Sequence, residues 1–176
     1  MKKRALAAML LLTLLLGGCA GGAKNADYKQ AVRDTLARSY TFTADIAYGE
    51  ETASAVIQKT GKTDLSISFT APEILSGLTV VTAGETLTAS YRGVELDLSA
   101  YNIPSQSVIS VLETVLAAEP SDNLEVTEQN GVLTARGTLV IASYEIDFDQ
   151  ETMAIKAVRV PSIDGTLTVS EFAFDD

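Results

Sequence analysis

The sequence has no histidine, no tryptophan and a single cysteine, Cys19. Without histidine it lacks the usual base for a serine or cysteine nucleophile and the commonest metal ligand. One cysteine allows neither an intrachain disulfide nor a thiolate metal cluster. Basic residues are scarce: 13 Lys and Arg stand against 23 Asp and Glu, a formal charge of −10. That balance excludes nucleic acid as a natural partner, because such binding relies on neutralising phosphates. A phosphate-binding loop is absent too. Thr60-Gly61-Lys62-Thr63 has the end of one, but the glycine required five positions before Gly61 is replaced by Val56. A hairpin turn accounts for the stretch.

What is present starts with a basic head, Met1-Lys2-Lys3-Arg4, and an apolar run from Ala5 to Leu16 broken only by Thr13. The run is shorter than the roughly 20 residues that span a bilayer, and it has the layout of a secretory signal. It ends in Leu16-Gly17-Gly18-Cys19, which resembles the bacterial lipobox. The resemblance implies a lipoprotein signal peptide over 1–18 and a diacylglyceryl group on the Cys19 sulfur. Acyl chains such as palmitate would then hold the protein on the extracytoplasmic face of the cell membrane, at about 0.8 kcal/mol per buried methylene. Removing Lys2, Lys3 and Arg4 makes the mature chain more acidic still, so attachment would rest on the lipid. Ala20 to Ala26 is small and polar, the composition of a short flexible tether to Cys19. Residues 27–176 are expected to form one domain.

In that domain Asp27–Ser39 reads as a helix, with Asp27 as its cap and Ala31, Val32 and Leu36 as its apolar stripe. After Tyr40 the period becomes two. Phe42, Ala44, Ile46 and Tyr48 share one face; so do Leu65, Ile67 and Phe69, and then Val94, Leu96 and Leu98. Turn residues separate the runs at Gly49, Gly61, Gly77, Gly84, Arg92-Gly93 and Asn130-Gly131. Pro104–Glu119 interrupts them with helical spacing at Val108, Val111, Leu112, Val115 and Leu116. The run Val132–Asp149 follows Asn130-Gly131, then Met153–Val160, and the last strand is Gly165–Phe174. The expected fold is α+β: a single curved antiparallel sheet of roughly ten strands, covered by the N-terminal helix and the mid-chain apolar helix.

The stretch from Ser68 to Leu98, with its Ala-Pro strand end and the hairpin around Gly84-Glu85, and the hairpin Ile146–Val158 are similar to the LolA/LolB-like half-barrels. That superfamily includes lipoprotein carriers, their anchored receptors and a spore-germination lipoprotein. The resemblance implies a concave apolar face that holds an acyl chain. Its lining here would be Phe42, Ile46, Leu65, Ile67, Phe69, Val80, Leu87, Leu112 and Leu116. The carrier's ligand-gating basic residue is not identified in this chain.

Other readings lead elsewhere. The same apolar residues make an ordinary filled core, and the chain is then an anchored interaction module that regulates a membrane or cell-wall partner. Ile74 and Leu75 either close that core or, if exposed, touch a bilayer or a partner. Glu145, Asp147 and Asp149 lie on one face of a strand without the spacing of a calcium loop, so a solvated face is expected. No catalytic residues, metal ligands or cofactor are expected. The partners expected are the membrane, through Cys19, with a lipid or lipoprotein acyl chain and an envelope protein as further candidates. Replacing Cys19→Ala is expected to abolish incorporation of labelled palmitate into the chain, read on a gel of radiolabelled cells.

Overall fold

The computed structural model describes residues 20–101, 112, 115–116, 123–138 and 143–175. Helix α1 spans Ala20–Ala37. Eleven strands follow: β1 Tyr40–Tyr48, β2 Glu51–Thr60, β3 Asp64–Ala71, β4 Leu78–Ala83, β5 Thr86–Tyr91, β6 Val94–Asp97, β7 Glu125–Gln129, β8 Val132–Thr138, β9 Ser143–Asp149, β10 Ile155–Val160 and β11 Gly165–Phe174. All belong to one open antiparallel sheet, ordered β6-β5-β4-β3-β2-β1-β11-β10-β9-β8-β7. Two runs of hairpins therefore meet in the middle, where β1 pairs with β11 from Tyr40↔Phe174 to Tyr48↔Gly165. The link from β6 to β7 joins the two outer edges. Of its residues Leu112, Val115 and Leu116 are described, and they are buried in the core.

The strands form where the alternation predicted them. Tyr40, Phe42, Ala44 and Ile46 of β1 are buried, as are Leu65 and Ile67 of β3 and Tyr144, Ile146 and Phe148 of β9. The turns between β5 and β6 and between β7 and β8 hold two consecutive left-handed residues, Arg92-Gly93 and Asn130-Gly131. That geometry matches the right-handed twist of the flanking strands and closes a two-residue hairpin. At the turn after β9, Asp149 accepts the backbone N–H groups of Glu151 and Thr152 at 3.1 and 3.0 Å.

Three expectations change. The run Val132–Asp149 is two strands, β8 and β9, paired from Val132↔Asp149 to Thr138↔Ser143. The sequence between them, Leu139 to Ala142, has no Gly, Pro or Asn to mark a reversal, which is why the strand count rises to eleven. The helix starts at Ala20, within the stretch read as tether, and Asp27 lies inside it rather than at its cap. Ala20, Ala23 and Ala26 favour a helix while Gly21 and Gly22 oppose it, and Asn25 is tied to the sheet through its Nδ2, which donates to the Val126 carbonyl at 3.2 Å. Third, Val94 and Leu96 are in step with the inner face but stand exposed, since β6 is an edge strand with β5 as its neighbour among the described residues. The expected second helix, Pro104–Glu119, lies outside the described residues except for Leu112, Val115 and Leu116.

Helix α1 packs on β7 and β8 through buried Val32 and Leu36, and the Tyr28 hydroxyl accepts from Gln150 Nε2 at 2.8 Å. Gly137 in β8 is not a turn residue. A Cβ there would overlap the hydroxyl and ring carbons of Tyr144, so the bare backbone is the seat of that ring. Gly137→Ala is expected to cost about 1–3 kcal/mol through overpacking, measured by urea denaturation, while Thr134→Ala on the outer face of the same strand costs less.

Candidate functional site

The inner face divides into a closed zone and an open one. Of the nine residues expected to line a cavity, Phe42, Ile46, Leu65, Ile67, Val80, Leu112 and Leu116 are buried, and Phe69 and Leu87 are half-buried. They do share one face: the cross-strand row Phe172–Phe42–Ile57–Ile67–Val80–Ala89 runs through β11, β1, β2, β3, β4 and β5. Beneath Leu112 the space left between Ile46, Val158, Val160, Ile163 and Leu167 is only about 20 Å³. That is room for a water-sized probe and not for an acyl chain.

Past Ile46 the face opens. A groove of about 460 Å³ lies between Ile46 and Tyr48 of β1, Ala53 of β2, Phe69 of β3, Leu78 of β4 and the loop residues Pro72, Ile74 and Leu75. Glu51 and Thr52 are the polar residues of its wall. Only Ile46 and Phe69 belong to both the expected lining and this groove. The loop wall is built by its own backbone bonds. Leu75 N–H donates to the Pro72 carbonyl at 2.9 Å, Gly77 N–H to Phe69 at 3.1 Å and Leu78 N–H to Leu75 at 2.9 Å. The Tyr91 hydroxyl donates to the Ile74 carbonyl at 3.5 Å. Ile74 is 79% exposed, so it does not close the core, while Leu75 is half-buried. The sequence placed Ile74 and Leu75 in a turn. What it lacked was the position of that turn over the end of the sheet, which depends on β3–β4 pairing.

Two buried polar groups escaped the sequence reading. Lys59 on β2 is fully buried, and its Nζ donates to the carbonyls of Arg38, at 3.3 Å, and Gly61. It lies 5.4 Å from the centre of the Tyr40 ring, and burial pushes its ammonium pKa down. The Tyr40 hydroxyl has no hydrogen-bond partner among the described residues, and burial drives its pKa well up. The signal for Lys59 was its parity with Ala55 and Ile57, masked by the adjacent polar turn. Sealed from solvent, this amine ties the end of β2 to the end of α1 and takes no part in the groove.

The outer face of β8, β9 and β10 is a charge ladder. Glu145 accepts from Arg136 Nε at 2.7 Å and from Arg159 Nε at 3.4 Å, and Asp147 accepts from Arg159 Nη2 at 2.7 Å and Thr134 at 2.8 Å. Asp149 pairs with Lys156 at 2.8 Å. Each carboxylate thus already has its cation. Among the described residues no group of three or more His, Cys, Asp or Glu is placed to hold a metal ion, and no helix is long and apolar enough to cross a membrane. The hydrogen bond from Arg136 holds the Glu145 carboxyl below its usual range. For Asp149 the bond from Lys156, then those from Thr152, do the same more strongly.

No family model and no curated protein matches the chain. Solved structures do. An uncharacterized conserved protein from Thermus thermophilus aligns with a TM-score of 0.54 at 13% identity, over 86% of this chain and 87% of that one. A chain in the complex structure of Pseudomonas aeruginosa MucA/MucB aligns at 0.50 and 9% identity, over 87% of this chain and 58% of that one. A LolA superfamily protein from Nitrosomonas europaea aligns at 0.45 and 11% identity, over 84% and 93%. At these identities the likeness is one of fold. The open antiparallel half-barrel implied by the resemblance of Ser68–Leu98 is the architecture present.

The ladder sets an expectation for acid stability. A depressed carboxyl pKa contributes stability that is present above the unfolded value, about 4, and is lost as pH falls through the folded one. The melting temperature is therefore expected to hold from pH 7 to 5 and to fall below about pH 4. Arg136→Ala should flatten that fall; an unchanged pH profile in this variant would show that the pair contributes nothing.

Proposed function

We propose that this LolA-like half-barrel is a membrane-anchored bacterial lipoprotein, without enzymatic activity, that takes a lipid acyl chain or another apolar ligand at its open end. The observation that carries the reading is the apolar groove between Ile46, Ala53, Phe69 and Leu78. Its volume of about 460 Å³ falls within the range of small-molecule sites, and its few polar groups suit a hydrocarbon tail. The site differs from the cavity expected beneath the mid-chain segment: the ligand lies beside the core, against the Pro72–Leu78 loop. In this reading the lipid on Cys19 keeps the domain at the extracytoplasmic face of the cell membrane, within reach of such ligands.

One observation favours a second reading. The space beneath Leu112 is too small for a ligand, and a filled core suits a protein that acts on an envelope partner by contact. The two readings separate on a ligand measurement. Ala53 faces the groove and carries no more than a methyl, so Ala53→Trp fills the space without adding charge. Titrating the full chain in detergent with a fluorescent fatty acid is expected to show saturable binding, weakened at least ten-fold by Ala53→Trp. Absence of uptake by the unaltered chain, or uptake indifferent to Trp at 53, would leave the interaction module as the better account.

A further inference from the structure

The open sheet has two edges, and they differ. On the β7 edge the two-residue turn at Asn130-Gly131 makes Gln129↔Val132 a hydrogen-bonded pair, and alternation then turns the N–H and C=O of Val126 and Glu128 outward. The Val126 carbonyl is capped by Asn25 of α1. On the β6 edge the turn at Arg92-Gly93 makes Tyr91↔Val94 and Ala89↔Leu96 the hydrogen-bonded pairs. The N–H and C=O groups of Glu95 and Asp97 therefore point away from β5. Among the described residues no strand or helix pairs with that edge.

Its side chains alternate as well. Val94 and Leu96, 61% and 57% exposed, continue the apolar inner face beside Tyr91 and Leu78, while Glu95 and Asp97 lie on the outer face. Short, charged edges serve to keep sheets from sticking together, and the two acids fit that role. Exposed Val94 and Leu96 do not, since they add apolar surface where an edge is usually blunted. The acids also discriminate between occupants. A second copy added antiparallel with its inner face on the same side sets odd residues against odd ones, Glu95 against Glu95 or Asp97. Like charges directly opposite each other destabilise a pair. A strand with Lys or Arg at those positions reverses the sign, and apolar residues between them cover Val94 and Leu96.

We infer that the β6 edge is a docking site for an extended segment of another protein in which basic and apolar residues alternate, added as a twelfth strand. Backbone bonds to Glu95 and Asp97 give such an addition its register, and the alternate side chains give it specificity. No residue of β6 lines the groove, so the edge stands or falls independently of the ligand reading.

The probe is a fluorescein-labelled peptide of four Lys-Val repeats, compared with a block peptide of four Lys followed by four Val. Binding to the full chain in detergent is read by anisotropy. The alternating peptide is expected to bind at least ten-fold more tightly than the block peptide, which has the same charge. Two variants, checked for fold by circular dichroism, test the edge. Glu95→Pro removes an outward N–H without touching the β5 ladder, and Glu95→Lys/Asp97→Lys reverses the charge. Each is expected to weaken binding ten-fold or more, while Glu128→Lys on β7 changes it less than two-fold. Equal binding of the two peptides would reduce the effect to bulk charge and overturn the inference. So would binding that survives both edge variants, or no binding at all. A dimer of the full chain abolished by Glu95→Pro would give the edge to a second copy instead, and broadening of Val94 and Leu96 resonances by a spin-labelled detergent would give it to lipid.

Discussion

The pairing of β1 with β11 is the constraint on which the rest of the structure depends. Every other pair in the sheet joins strands that follow each other along the chain. This one brings Tyr40 to Phe174 and Tyr48 to Gly165, with an irregularity between Thr43 and Ala44. It turns two separate meanders into one sheet and sends their free ends to opposite edges. Side chains reinforce it. Phe42 and Phe172 stack at 6.3 Å, Phe172 meets Phe174 edge-on at 5.0 Å, and the Arg38 guanidinium lies 3.7 Å over the Phe174 ring. Aromatic pairs of this kind add about 0.5–1.5 kcal/mol each beyond the area they bury. Paired far apart in sequence, these strands also carry most of the loop-closure cost of the fold.

The position of the seam explains the uneven inner face. Of the link from β6 to β7, Leu112, Val115 and Leu116 are buried in the core, and Leu112 lies beside Ile46 of β1 and Val158, Val160 and Leu167 beyond the seam. Helix α1 covers β7 and β8. Among the described residues burial is dense over the C-terminal half and on β4, where Val80 and Thr82 are buried, and it falls away at β6, where Val94 and Leu96 are exposed. The closed zone under Leu112, the groove past Ile46 and the bare flank at Val94 and Leu96 are three stages of one gradient in burial. Apolar surface left uncovered on this scale is where ligands and partners bind.

Charge is arranged to the same plan. The outer face of the C-terminal half neutralises its acids internally through Arg136, Arg159 and Lys156. Glu95 and Asp97 on the far edge have no cation among the ion pairs described. Lys59 is a cation taken into the interior, where the Arg38 and Gly61 carbonyls replace its water. Burial of an unpaired ammonium is costly, and two carbonyl acceptors together with the face of Tyr40 offset part of it.

By itself the sequence determined the local elements and which residues face inward. Strict alternation in runs such as Tyr40–Tyr48 and Asp64–Ala71 has one solution in a sheet with one wet face, and Arg92-Gly93 and Asn130-Gly131 have one hairpin geometry. It left no mark at 139–142, because an apolar stretch without Gly, Pro or Asn reads as continuing strand. It spread the candidate lining over the whole inner face, since a core residue and a cavity residue have the same chemistry. Only the tertiary structure decided that Phe42, Leu65, Ile67 and Leu116 are packed, that Ile46 and Phe69 border open space, and that Lys59 is inside. Those outcomes depend on where the cover stops, and that follows from a pairing between residues more than a hundred positions apart, such as Tyr40 and Phe174.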